Sequence, residues 1–324
     1  MRYLVYLLSF LLASSQFLAA EEETVLPETC YLFAHFYLNG DSGLHLAWSP
    51  DGLKWTMLNG GESFLVPAVG ESGLMRDPSL TVGPDGRFHM VWTTSWTGQT
   101  IGYASSDDLL NWSEQKAIPV MGHEPEVWNC WAPEVIWVPE DEHFLIIWSS
   151  TITGRFPETG LTNRRPPRNH RIYRTTTKNF VTFTPTELHY DGGFNVIDAV
   201  LTPFGDEWMM FVKHEAVSPH TQKNIRSIRC RTPYGPFSAS SAPISGEHWS
   251  EGPSVLKVGD AWLLYYDQHM IDVYGCRRTV DFQNWDNLDA EVEFPHRAKH
   301  GSFVAVDRAF LLQLMEATGD TTKQ

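Results

Sequence analysis

The chain has 324 residues, 42% hydrophobic and 13% aromatic, enough to bury a large core as one or two domains, with a formal charge of -15. That acidity argues against a nucleic-acid partner, which needs a basic surface, and beyond the N-terminus no apolar run approaches membrane-spanning length. Four widely spaced cysteines, Cys30, Cys130, Cys230 and Cys276, form neither a zinc ribbon nor a dense disulfide framework, and their spacing leaves any pairing open.

The N-terminus reads Arg2, an apolar run from Tyr3 to Leu18, then Ala19-Ala20 ahead of three glutamates. Charge, length and small-residue end are those of a secretory signal peptide over residues 1–20. Residues 21–324 are then expected to form a single exported domain, secreted or periplasmic, monomeric and free of the membrane after cleavage.

Beyond the leader, two repeats interleave along the chain. A seven-residue turn ending in an aromatic appears at Ser49 (SPDGLKW), Ser106 (SDDLLNW), Thr177 (TKNFVTF), Arg231 (RTPYGPF) and Thr279 (TVDFQNW). A strand, tight turn and strand begin at Asp77, Ala132, Asp198, Gly252 and Gly301. The runs are β-branched or aromatic and bounded by Gly, Asp or Pro, with no convincing amphipathic helix between them. The series starts on a turn and finishes on a strand pair, an offset that a ring explains and a linear solenoid or a two-sheet sandwich does not. The expectation is an all-β, five-bladed β-propeller, closed by N-terminal strands that complete the blade begun by the C-terminal strand pair.

Aligning the five inner strands makes Arg76-Asp77, Trp131-Ala132, Ile197-Asp198, Glu251-Gly252 and His300-Gly301 equivalent. Three carboxylates and a histidine then converge on one mouth of the central channel. Carboxylates brought together raise each other's pKa and are costly unless neutralised or used. A lone acid there reads best as a strand cap or a ligand of a structural cation; three in one funnel point to acid and base chemistry on a glycosidic bond.

The connections after the second strand of each blade return to the same mouth. They carry Trp96, a basic segment with Arg164, Arg165, Arg168 and Arg171, then Lys213-His214-Glu215, and Asp267-Gln268-His269. Most suit recognition of sugar hydroxyls. The arginines could meet a uronate or merely form a solvated loop face, and most of the 13 tryptophans are expected in blade packing. The S-x-D turns resemble the structural aspartate boxes of sialidases, but the arginine triad and tyrosine nucleophile of those enzymes are absent.

The order RDPS, WAPEV, IDAVL, EGPS and HGSF, one per blade from Arg76 to Val304, resembles glycoside hydrolase family 43. That family comprises secreted five-bladed propellers acting with inversion on arabinofuranosyl, xylosyl and related linkages. The resemblance implies Asp77 as general base, Glu251 as general acid with a raised pKa, and Asp198 as the acid that orients Glu251 and modulates its pKa. An inverting pair should stand about 6.5–9.5 Å apart to admit a water. His300 matches a histidine that the family places at the axis, where it holds a water or a metal ion; no cofactor is required, with a structural Ca2+ or a water as the axial occupant. Trp131 is the expected sugar-facing aromatic and Glu134 buried structure, with Arg76, Trp96, His214 and His269 as further substrate contacts. Glu215 also belongs to that set and stands as a reserve general acid.

One departure is the N-terminal stretch FAHFYLNGDSGLHLAW, which precedes the base aspartate and places His35 and Phe36 where they would narrow the pocket. The implied substrate is an oligo- or polysaccharide, first an α-L-arabinofuranoside cleaved from the chain end, with β-D-xylosides and β-D-galactofuranosides as alternatives. A fructan- or sucrose-type hydrolase lacks its Asn-Asp-Pro and Glu-Cys segments here. A carbohydrate-binding propeller without activity is the remaining rival.

Overall fold

The computed structural model describes residues 26–159 and 168–321. The leader and Arg164 and Arg165 lie outside the described residues. Five four-stranded antiparallel sheets stand in a ring, each with its first strand innermost: Arg76–Val82, Trp131–Val138, Val196–Phe204, Glu251–Val258 and Ala298–Asp307. Each innermost strand touches the next around the axis, and Ala298–Asp307 touches Arg76–Val82. This is the expected five-bladed β-propeller.

The second strand of each blade is covered on both faces by its neighbours. Runs such as FHMVWT and HFLIIWSS are therefore almost continuously apolar rather than alternating. Trp92, Trp148 and Tyr266 occupy one register position there and are fully buried. The aromatic-ended turns join the outer two strands. In Ser106–Trp112, Leu109 N donates to Ser106 Oγ at 2.8 Å and Asn111 N to Asp108 Oδ1 at 2.7 Å, so serine and aspartate replace the turn's missing backbone partners.

Closure follows the expected route with a different division of labour. The C-terminal segment supplies one strand, Ala298–Asp307, and the N-terminal segment supplies three, Thr29–Tyr37, His45–Ser49 and Thr56–Met57. The stretch after Asp307, expected as a second strand, is the helix Arg308–Thr318. Asp307 caps it by accepting from Phe310 N, Leu311, Leu314 and Met315 share its buried face, and Gly319 ends it in the left-handed conformation. All four cysteines are free and buried.

The two ends of the chain meet where Gly301 lies against the main chain of Ala34, so closely that a Cβ would run into the Ala34 carbonyl oxygen. Gly301→Ala is expected to lower stability by about 1–3 kcal/mol through forced separation of the closing strands, seen as a lower urea midpoint. An unchanged midpoint would mean that this contact does not hold the ring shut.

Candidate active site

On every innermost strand the pairing slips by one residue at the same height. The slips fall between Arg76 and Ser79, Trp131 and Glu134, Ile197 and Val200, Glu251 and Ser254, and Lys299 and Ser302. Each slip is a β-bulge, and in four blades its residue has a left-handed backbone: Asp77 (φ 50°), Ala132 (44°), Asp198 (55°) and Gly252 (56°). Aspartate and glycine tolerate that region better than most residues. At Gly252 a side chain would also collide with the ring of His300, so glycine admits the histidine to the axis.

The bulges tie the blades together. Ala132 N donates to Thr93 Oγ1 at 2.8 Å, Asp198 N to Ser149 Oγ at 3.1 Å and Gly252 N to Asp198 Oδ2 at 3.0 Å, in each case from one blade to the blade before it. Thr93 also donates to Asp77 Oδ2 at 2.8 Å.

Above the bulges opens a cavity of about 240 Å3. Asp77, Asp198 and Glu251 line it together with Arg76, Trp96, Trp131, Glu215, His269 and His300. Three expected contacts lie elsewhere. His35 shares the register position of Trp92 and Trp148, so it is fully buried between blades, stacked on Phe33 at 4.8 Å and held neutral by burial, with a pKa of about 3. Phe36 takes the position of Thr93 and is buried beneath the Arg76 guanidinium, 4.7 Å from its ring centroid. His214, one residue past the position facing the axis, stacks on Phe194 at 4.1 Å and lines a neighbouring cavity of about 310 Å3. Arg171 is likewise no solvated loop residue: it is fully buried and paired with Asp191.

His300 Nδ1 stands 3.3 Å from Asp77 Oδ1. Burial alone would raise the Asp77 pKa, but the hydrogen bond and charge of His300, with Arg76 and the Thr93 hydroxyl, carry it below the ordinary value. The same pairing overcomes the burial of His300 and lifts it to about 9, so an imidazolium sits among the acids. A metal ion at Nδ1 would have to displace that proton, and Ca2+, which takes oxygens, would be reached from His300 only through a water. Among the described residues no cluster of His, Cys, Asp and Glu is arranged to hold a metal.

Asp198 is buried, and burial together with the nearby Glu251 and Asp77 charges raises it to about 6 against the pull of His300 and Lys213. Glu251 departs from expectation. Burial pushes it up, but Lys213 Nζ lies 2.8 Å from Oε2 and His269 Nδ1 lies 3.5 Å away, and the net shift is downward. The carboxyls of Asp198 and Glu251 therefore share one site in which the retained proton favours Asp198. Glu215 is unsuited to reserve acid duty: despite burial, Lys213 at 2.9 Å and Lys223 hold it down to about 2.

Lys213, Lys223, Arg168 and Trp249 also line the cavity. Lys223 and Trp249 were not singled out from the sequence, and Lys213 was named there only as part of a loop. Lys213 pairs with Ile197 across the sheet, the register position held by Thr93, Ser149 and Asp267 in other blades, and that alignment was the available signal. Trp249 stands two residues before Glu251 and 40% exposed at the rim.

Residues 27–310 match the family-43-related model described as a probable glycosyl hydrolase domain. Over 224 residues the chain is 22% identical to an alpha-L-arabinofuranosidase of Bifidobacterium longum subsp. longum, covering 60% of this chain and 20% of that protein. The chain thus spans about a fifth of the length of that curated relative. In fold it is similar to a thermostable family-43 glycoside hydrolase (TM-score 0.52, 16% identity, 65% of this chain and 70% of that one). It is equally similar to the alpha-L-arabinofuranosidase from Lactobacillus brevis (TM-score 0.52, 15% identity, 66% and 72%). With the family model matched across all five blades, the chain belongs to glycoside hydrolase family 43.

Proposed function

We propose that this protein hydrolyses the terminal glycosidic bond of an α-L-arabinofuranoside with inversion and works after export as a secreted or periplasmic monomer. The observation that carries the reading is the grouping of Asp77, Asp198 and Glu251 around one cavity, with Asp77 held ionised by His300 and Thr93. A cavity of about 240 Å3 suits one sugar unit, which favours exo action. The arabinofuranosyl assignment rests on the relative from Bifidobacterium longum, with β-D-xylosides and β-D-galactofuranosides as the alternatives. Export rests on the leader-like N-terminus.

In this scheme Asp77 removes a proton from water as it attacks the anomeric carbon, and Glu251 gives a proton to the leaving oxygen. Glu251 must first gain that proton. Asp198 is the neighbouring carboxyl with a raised pKa, and Lys213 can release Glu251 because it already bridges to Glu215. Sugar entering the cavity also displaces water and weakens the ionised form of Glu251.

One observation favours a second reading. The lysine clamp keeps Glu251 as an anion, which a carbohydrate-binding propeller without activity would tolerate. Hydrolysis of aryl glycosides, with the product anomer followed by proton NMR, decides between the two. Asp77→Asn and Glu251→Gln are each expected to lower kcat by about 100- to 10,000-fold with the far-UV spectrum unchanged. Full turnover in either variant would remove that residue from its role.

The pKa shifts of Asp198 and Asp77 give the expected shape of the pH profile. The general acid needs the proton shared with Asp198, so kcat/KM is expected to fall as pH rises through about 6. The base needs an ionised Asp77, whose lowered pKa keeps activity on the acid side below the usual aspartate range. A profile flat from acid to alkaline would contradict this proton assignment. Independently, 15N shifts of His300 should show an imidazolium above its ordinary pKa of 6.5 and up to about 9, reverting toward 6.5 in Asp77→Asn. The ion pair adds stability where both partners are charged, and that contribution is lost as pH rises through the folded pKa of His300.

A further inference from the structure

A second cavity, of about 310 Å3, adjoins the catalytic one and is larger than it. The two lie back to back. Lys213 and Glu215 line the catalytic cavity, whereas His214 and Ala216, which alternate with them along the chain, line the second. Glu215 N donates to the Asn195 carbonyl at 2.8 Å, which fixes the partition. The second cavity also takes Glu158 and Thr159 from the preceding blade, Phe194 from the connection between blades, and the loop that runs to Gln222. That loop is closed on itself, since Gln222 N donates to the Ala216 carbonyl at 2.9 Å.

One wall is the pair Phe194 and His214, their rings stacked 4.1 Å apart with planes 14° from parallel. His214 Nδ1 accepts from Ala216 N at 3.3 Å, and burial with the Arg226 charge lowers the pKa to about 4, so the ring is neutral and its proton sits on Nε2. Nε2 has no hydrogen-bond partner among the described residues. Gln222 is similar: its Oε1 accepts from Arg226 at 2.9 Å and from Asn224 at 3.3 Å, while its amide NH2 meets no group among the described residues. The Ser218 hydroxyl and the Glu158 carboxylate complete the polar set at the exposed rim. Among the described residues that line this cavity there is no lysine or arginine. A neutral polyol with an apolar face matches such a lining; an anion meets no lysine or arginine, and a wholly apolar ligand strands the donors.

We infer that the second cavity is a sugar-binding subsite for the leaving-group side of the substrate, and that the natural glycan is an uncharged oligosaccharide. Its terminal unit enters the catalytic cavity while a later unit rests against Phe194 and His214. This inference rests on the proposed glycosidase activity. The order of the two sites follows from exo action: the catalytic cavity takes the unit that is released, so the remaining chain lies outside it, and the second cavity adjoins it at the same mouth.

The experiment titrates the Asp77→Asn protein by calorimetry with arabinotriose, xylotriose and a galactofuranosyl trisaccharide, each against its monosaccharide, at low and high salt. One trisaccharide is expected to bind about tenfold or more tighter than its monosaccharide, equally at both salt concentrations because the ligand is neutral. That gain should vanish in Phe194→Ala, which removes half of the stacked pair, and in Ser218→Trp, which fills the cavity from its exposed rim, while monosaccharide binding stays within about twofold. With Asp77 intact, the same substitutions should lower kcat/KM for that trisaccharide by about tenfold and leave it unchanged for aryl glycosides. Ser218→Trp alone decides should Phe194→Ala fail to fold. Equal binding within all three pairs, or a gain that survives in either folded variant, overturns the inference. Turnover of aryl glycosides alongside that result leaves the glycosidase reading standing and removes this one. A trisaccharide gain lost in the variants, without turnover of any glycoside, removes the glycosidase reading and leaves a neutral-glycan binding site.

Discussion

The bulge near the start of each innermost strand, left-handed in four of the five blades, is the constraint on which the rest of the molecule depends. An ordinary strand would point successive side chains alternately toward the neighbouring blades and away. The slip at Asp77, Ala132, Asp198 and Gly252 turns the chain so that consecutive residues reach the axis, and it frees backbone N–H groups from their own ladder. Those groups are then satisfied by Thr93, Ser149 and Asp198 of the preceding blades. The same geometry aims the acids and fixes blades to one another. Asp198 does both, since its main chain forms one bulge while its carboxylate accepts from the next.

Electrostatics explain how so many ionisable groups share one largely buried place. Desolvation opposes every charge in the cavity, and each acid answers it differently. Asp77 is compensated by an imidazolium, Glu215 by two lysines and Glu251 by one of those lysines, while Asp198 is compensated least and keeps its proton longest. Asp267, opposite Glu251 across the sheet, shows the same logic: burial and the Glu251 charge raise it to about 7. The arrangement separates ionised carboxylates, Asp77 among them, from one carboxyl, Asp198, that holds its proton to about pH 6, the kind of separation on which acid and base chemistry draws.

Much of this was legible in the sequence, for identifiable reasons. Five repeats of strand and turn reveal a ring because each blade must solve the same packing problem, and Asp77, Asp198 and Glu251 stand out because Asp or Gly recurs at the bulge. What the sequence concealed was register. Without knowing that Phe36 shares the position of Thr93, His35 and Phe36 look like pocket residues, and Lys213 looks like a loop residue. The raised pKa expected for Glu251 failed for a related reason: its partner Lys213 lies on the second strand of the preceding blade, 38 residues away in sequence. The C-terminal helix was readable from Asp307, Gly319 and the spacing of Leu311, Leu314 and Met315, but the alternating stretch before it invited a strand.

The one-and-three division of the closing blade has a kinetic side. Thr29–Tyr37 is among the earliest strands made and Ala298–Asp307 the last, yet they pair along their whole length. Four blades can form from local hairpins, but the fifth needs a contact of very high sequence separation, the slowest kind to form. Until then Thr29–Tyr37 carries an open edge able to pair with another chain. During synthesis the strands Thr29–Tyr37, His45–Ser49 and Thr56–Met57 must wait for the four intervening blades to appear before their sheet can be completed. The final step of folding is thus also the step that seals the molecule against its own copies.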